Sequence, residues 1–231
     1  MKEKKQKKQS IDTEIATEDG IVEIKKPKVK EAKLAKNRQK YTQKYFNKFA
    51  GRSQDSYDKM LQDDYRKIVE RAHDLSSITE ADYHEVMMIT IPDAFDQTSK
   101  VNYRLDKKDD DTYTLLYDQA LVTILFFGDD VLYYHQANVD HRNGHIAYDV
   151  SGEFNYFDVV HMETAIKYDR PINPKYVTLD LEVGLADGTI VPFHLRNHRI
   201  HEEYDLHAFI TDQEKKFLDT LKQHVRESRK L

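Results

Sequence analysis

An α+β fold is predicted for this 231-residue chain: an N-terminal helical segment, a seven-stranded antiparallel barrel or sandwich, and a C-terminal helix that caps it. Three observations predict it. Apolar residues recur at every third or fourth position between 54 and 75. Beyond residue 112 apolar and polar residues alternate between turn-forming dipeptides. The last segment returns to helical spacing behind a capping signal.

Residues 1–30 read as a basic, disordered arm and linker. Lys2, Lys4, Lys5, Lys7 and Lys8 crowd its start, and Gly20 and Pro27 break its second half. Residues 31–75 read as a helical segment in two pieces. Ala32, Lys33, Leu34, Ala35 and Lys36 are good helix formers, Gly51 interrupts, and Tyr57, Leu61, Tyr65, Ile68 and Ala72 mark one buried face of the second piece. Residues 76–111 read as a linker holding a short strand at 86–91 that stops at Pro92. Its end, 106–111, carries four aspartates and two lysines and is expected as a solvent loop.

From 112 to 231 the pattern predicts the β domain. Residues 113–117 and 120–127 are strand-like, the latter buried on both faces. Residues 131–141 and 145–151 flank Asn143-Gly144, which predicts a two-residue hairpin loop pairing Val139 with Tyr148 and Ala137 with Val150. A strand is expected over 155–163 and a proline-bearing loop over 168–174. Residues 176–186 alternate strictly. A two-residue loop at Asp187-Gly188 would scatter the apolar set of 189–196 onto the polar face. A three-residue loop, 186–188 with Gly188 left-handed, instead sets Val183 against Val191, Leu181 against Phe193, Leu179 against Leu195, and His194 against Asp180. Thr211 with Glu214 forms a capping box, and Phe217, Leu218, Leu221 and Val225 form the buried stripe of the last helix.

The net charge of −5 conceals a split: 15 basic against 7 acidic residues in 1–50, and 21 against 34 in 51–231. A basic arm on an acidic body fits loose contact with nucleic acid or an anionic membrane surface through residues 1–50. The chain has no cysteine, which excludes disulfides and thiolate chemistry and fits a cytoplasmic location, peripheral at the membrane where the arm engages it. The longest apolar run, 120–127, is far short of a membrane span, which takes roughly 20 residues.

The order of elements after 112, the strand Tyr156-Phe157-Asp158-Val159-Val160, the hairpin around Asp187-Gly188 and the closing helix together resemble bacterial pleckstrin-homology-like domains. The resemblance covers about half the chain. It implies a binding or scaffolding module without an active site, with no catalytic residue and no cofactor. The chain departs from phosphoinositide-binding members, which carry a basic loop between the first two strands; here the corresponding loops read Asp109-Asp110-Asp111 and Asp129-Asp130. Contact with a protein partner is therefore the expected function.

The chemistry-bearing residues offer little against that. His194, His198 and His201 have metal-ligand spacing for one helix face, with Glu202 or Asp205 as a further ligand, and define a third reading, a histidine-dependent metal enzyme, after the nucleic-acid- or membrane-associated alternative. A strand is expected at His194, so exposed polar histidines with an Asp180–His194 cross-strand pair are the preferred reading. His141 and His145 read as decoration of a polar turn. The adjacent carboxylates, Asp63-Asp64 among them, read as solvated surface. No Gly-x-Gly phosphate loop or Gly-x-Ser-x-Gly elbow occurs. Of the 15 tyrosines and 10 phenylalanines, most are expected in the core, with one of Tyr133/Tyr134 and one of Tyr156/Phe157 facing out.

Overall fold

A computed structural model describes residues 15–17, 20–22, 29–48, 50–52, 55–94, 97–107, 113–199 and 211–230. Their order is β1 (Ile15–Thr17), β2 (Gly20–Val22), α1 (Val29–Phe46), β3 (Ala50–Arg52), α2 (Asp55–Ser76), β4 (Glu85–Pro92), β5 (Tyr103–Lys107), β6 (Tyr113–Tyr117), β7 (Gln119–Phe127), β8 (Val131–Asp140), β9 (His145–Asn155), a 3-10 turn (Tyr156–Asp158), β10 (Val159–Tyr168), β11 (Tyr176–Leu185), β12 (Ile190–Arg199) and α3 (Asp212–Ser228). The mixed helix-and-sheet class and the closing helix are as expected. The strand count is not. Nine antiparallel strands, β4–β12, are distributed over three open sheets, β4-β7-β8-β9, β10-β11-β12 and β5-β6, the last extended by β3 in parallel with β5, in place of seven in one closed barrel.

The expected boundaries shift for the same reason. β4 pairs with β7 along its whole length, from Glu85 opposite Phe127 to Pro92 opposite Ala120. β5 pairs with β6. Both ladders reach back before residue 112, so β4 and β5 belong to the β architecture and not to a linker. Asp106, expected in a solvent loop, lies in β5 and is buried. Within the expected arm, β1 and β2 pair as a two-stranded ribbon. Lys2, Lys4, Lys5, Lys7 and Lys8 lie outside the described residues.

β7 explains the layering. All nine of its residues are buried. Leu121, Leu125 and Phe127 join a core shared by the β4-β7-β8-β9 and β10-β11-β12 sheets and by Phe217, Leu218, Leu221 and Val225 of α3. Ala120, Val122, Ile124 and Phe126 point the other way, onto Ile68 and Ala72 of α2. The four-stranded sheet thus separates a helical layer from a second sheet and α3. A strand buried on both faces reads as a continuous apolar run.

The two hairpins diverge in how well local pattern predicts them. At β11–β12 the three-residue loop forms, with Gly188 at φ +88°, and Val183–Val191, Leu181–Phe193 and Asp180–His194 pair as expected. A bulge at Leu195 then sets Leu179 opposite Arg196, not Leu195. At β8–β9 the expected two-residue loop does not form. Asp140 pairs with His145 and Val139 with Ile146, and a bulge at Ala147 sets Asn138 opposite Tyr148 and Gln136 opposite Val150. The Asp140 carbonyl accepts from Asn143 N at 3.2 Å and Gly144 N at 2.7 Å. Its carboxylate accepts from Arg142 N at 2.9 Å and Arg142 Nε at 2.8 Å. This side chain organises a four-residue turn that the Asn-Gly signal alone does not encode.

Candidate functional site

Of the candidate metal set, only the His194 side chain lies among those the structure describes. His194 stands on the outer face of β12, where its ring Nδ1 lies 2.8 Å from Asp180 Oδ1. His198 is placed opposite Val177 at the far end of β12. His201, Glu202 and Asp205 lie outside the described residues. Among the described residues no group of three or more His, Asp and Glu side chains is arranged to hold a metal ion. No helix among them is long and apolar enough to cross a membrane.

Among the described residues buried polar networks form instead, and three of them involve the helices. The largest joins α1, α2 and the β8–β9 turn. Asp64, 1% exposed at its side chain, receives Arg38 Nη1 at 2.9 Å, a second guanidinium bond from Arg38 Nη2, and His141 Nδ1 at 2.8 Å. Arg38 Nε also donates to the His141 carbonyl at 2.8 Å. Burial alone would raise the Asp64 pKa, but the bonds from His141 and Arg38 outweigh it and hold the carboxyl below its usual value. His141 is therefore no turn decoration: it is fully buried, edge-on to Tyr65 at 5.7 Å. Nor is Asp64 solvated surface.

The second network ties Tyr45 of α1 to β5. Tyr45 Oη donates to Asp106, Arg104 Nε donates to Asp106 at 2.5 Å, and Arg104 Nη1 donates to the Tyr45 carbonyl at 2.7 Å. Burial, and then the bond to Asp106, push the Tyr45 phenol well above its usual pKa. The third pins the start of α3. Arg196 Nε donates to Glu214 at 2.7 Å, and the Thr211–Glu214 capping box is complete, with Thr211 N donating to Glu214 at 2.7 Å and Glu214 N to Thr211 Oγ1 at 3.3 Å. In all three networks the polar side chains bond to one another and are shielded from solvent. They hold the helical layer and α3 to the sheets.

The surface geometry that can receive another molecule lies at β10. This strand is an outer member of its sheet, and among the described residues β11 is its one ladder neighbour. Beside it runs the C-terminal half of α3, and the two enclose a cleft of about 180 Å³ lined by Val159, Val160, His161, Met162, Lys222, Val225, Arg226 and Arg229. The floor is apolar: Val159 and Val225 are buried and Val160 is 61% exposed. The rim is basic. Lys222 and Arg226 are one helical turn apart, which puts both on the face toward β10. Arg229 Nη2 donates to the Val159 carbonyl and closes one end. Phe157, 71% exposed, stands on the 3-10 turn just before the strand, while Tyr156 is buried and stacked on His224 at 4.8 Å. The expected split between those two aromatics is what the structure has.

From the sequence, Lys222, Arg226 and Arg229 read only as charges suited to a helix C-terminus. The signal for more is their spacing, three cations on one face directly beside the Val225 stripe. The expected strand ends at 163, so the outer edge of β10, which continues to Tyr168, is not visible in the sequence as one continuous element.

No protein-family model, curated protein or solved structure matches the chain.

Proposed function

We propose that this chain is a non-enzymatic binding module of pleckstrin-homology-like build, and that it takes an extended, acidic peptide segment of a protein partner along β10 beside α3. The build is supported by two antiparallel sheets of four and three strands, β4-β7-β8-β9 and β10-β11-β12, with α3 packed into their shared core. The observation that carries the function is the union of an outer strand with a basic-rimmed apolar cleft. An outer strand presents backbone donors and acceptors that an extended peptide satisfies by adding to the sheet, and an adjacent pocket supplies side-chain selectivity. The cleft volume of about 180 Å³ is on the scale of the roughly 150 Å³ cavity that holds a benzene ring, so one large apolar side chain fits. Lys222 and Arg226 favour carboxylates on either side of it.

The test is selection of binders from a library of extended acidic peptides on the full chain, followed by the double charge reversal Lys222→Glu, Arg226→Glu. Selected peptides are expected to bind at least tenfold more weakly to that variant, with thermal stability unchanged, and to slow amide exchange along 160–168. Binders indifferent to the reversal, or protection that maps away from β10, would overturn the proposal.

A further inference from the structure

We infer that the loop joining β10 to β11, residues 169–175, is a membrane-contact element that seats Ile172 in the interfacial layer of an anionic bilayer. Ile172 is 78% exposed, the most exposed large apolar side chain among the described residues. It is held out rather than left loose. Pro171 and Pro174 flank it, and Asn173 takes a left-handed φ of +52°. Asp169 Oδ1 accepts both Lys175 N at 2.7 Å and Tyr176 N at 2.9 Å, and Asp169 N donates to the Tyr176 carbonyl at 3.2 Å. One carboxylate oxygen of the loop's single acid is thus spent on its own backbone.

Around this tip the residue types follow the depth profile of a membrane surface. Tyr168 and Tyr176, both about half exposed, stand behind Ile172 at the ends of the two strands; tyrosine favours the level where an apolar ring meets wet headgroups. Lys167, Arg170 and Lys175 form a cationic collar on a body that is otherwise strongly acidic, with 21 basic against 34 acidic residues in 51–231. Lys167 lies 3.8 Å from Asp180 and Arg170 3.4 Å from Asp169, exposed contacts that a lipid phosphate can replace. A shallow cleft of about 460 Å³ between Tyr168, Arg170, Pro171 and Pro174 offers space for a headgroup beside the guanidinium. An apolar knob with a cationic collar suits a fluid anionic surface, whereas a protein partner would need a pocket matched to it. The α3 cleft is lined by the first residues of β10, Val159 to Met162, and the loop follows its last, Tyr168, about 20 Å further along the strand.

The chain has no tryptophan, so Ile172→Trp supplies a single reporter. The full-length variant is titrated with vesicles of phosphatidylcholine alone and of phosphatidylcholine mixed with phosphatidylglycerol. Its emission is expected to shift to the blue with the anionic vesicles and to stay unchanged with the zwitterionic ones. In co-sedimentation on the anionic vesicles, Ile172→Asp is expected to lower partitioning about tenfold or more, and Arg170→Ala about fivefold, with melting temperatures unaltered. A reporter whose emission ignores anionic vesicles overturns the inference. So does an Ile172→Asp chain that sediments like the unaltered one, because binding would then reside in the lysines of the first ten residues.

Discussion

Removing the Asp64 carboxylate is the sharpest probe of how the helical layer is held. Asp64 accepts two guanidinium bonds from Arg38 and one from His141. In Asp64→Ala both Arg38 Nη groups and the His141 N–H lose their acceptor, and Arg38 keeps only its Nε bond to the His141 carbonyl. Breaking one side of a buried pair in this way costs about 3–5 kcal/mol, a large share of the 5–15 kcal/mol that typically separates folded from unfolded chains. With a urea dependence of about 2 kcal/mol per molar, the unfolding midpoint falls by about 1.5–2.5 M. Far-UV circular dichroism and tyrosine fluorescence report it together, since the chain has 15 tyrosines and no tryptophan. The double variant Arg38→Ala, Asp64→Ala should cost at least about 1 kcal/mol less than the two single losses combined, because the second removal relieves the charge stranded by the first. Acid should mimic the loss. The folded Asp64 pKa is depressed, so its contribution is complete above the unfolded value of about 3.9 and disappears as pH falls through the lower folded value. A midpoint change below about 0.25 M for Asp64→Ala would refute the reasoning, for it would mean that solvent or another group replaces the carboxylate without cost.

The remaining predictions concern two other features. Gly188 has a φ of +88° and nothing within 4 Å of where a Cβ would stand, while Gly144 has a φ of +71° and would bring a Cβ to 2.8 Å from Arg38 Nη1 and 3.0 Å from Asp64 Oδ1. Gly188→Ala should therefore cost about 1–2 kcal/mol from backbone strain alone, and Gly144→Ala distinctly more in parallel urea titrations; equal costs would contradict the assigned contacts. Burial depresses the pKa of His135, and burial together with the neighbouring His84 charge depresses that of His224. The unfolded chain takes up these protons below about pH 6.5 while the folded chain resists them, so stability should fall from pH 7 toward pH 5. Histidine ring proton titrations by NMR check the direction, and values at or above 6.5 for both residues would reverse it.

How much local pattern reveals depends on where the deciding partner sits in the chain. The β11–β12 loop is legible because both strands alternate strictly, and only one loop length keeps Val183, Leu181, Val191 and Phe193 on one face. The β8–β9 turn is not, because Asp140 folds its own side chain over the turn and because Asp64, on a helix far upstream, draws His141 inside. Asp106 sits in a run of aspartates and lysines that reads as solvent loop. Its partners Tyr45 and Arg104 make it a core residue, and nothing within a few positions announces Tyr45. β4 is legible as a strand from its β-branched run but not as the partner of β7, since the β5–β6 excursion separates them. The cleft beside β10 is half visible: the cations of α3 stand out in the sequence, and the bare edge they face does not.

The position of α2 ahead of the sheet it packs on has a cost during synthesis. Its buried face, with Ile68 and Ala72, rests on Val122, Ile124, Phe126, Ala137 and Val139 of β7 and β8. Roughly 70 residues separate Ile68 from Val139. At translation rates of about 5–20 residues per second, that face leaves the ribosome about 4–14 s before its seat exists. For that interval a greasy stripe is bare on a nascent chain, and whatever shelters it until the central sheet emerges governs how much of the protein reaches its finished form.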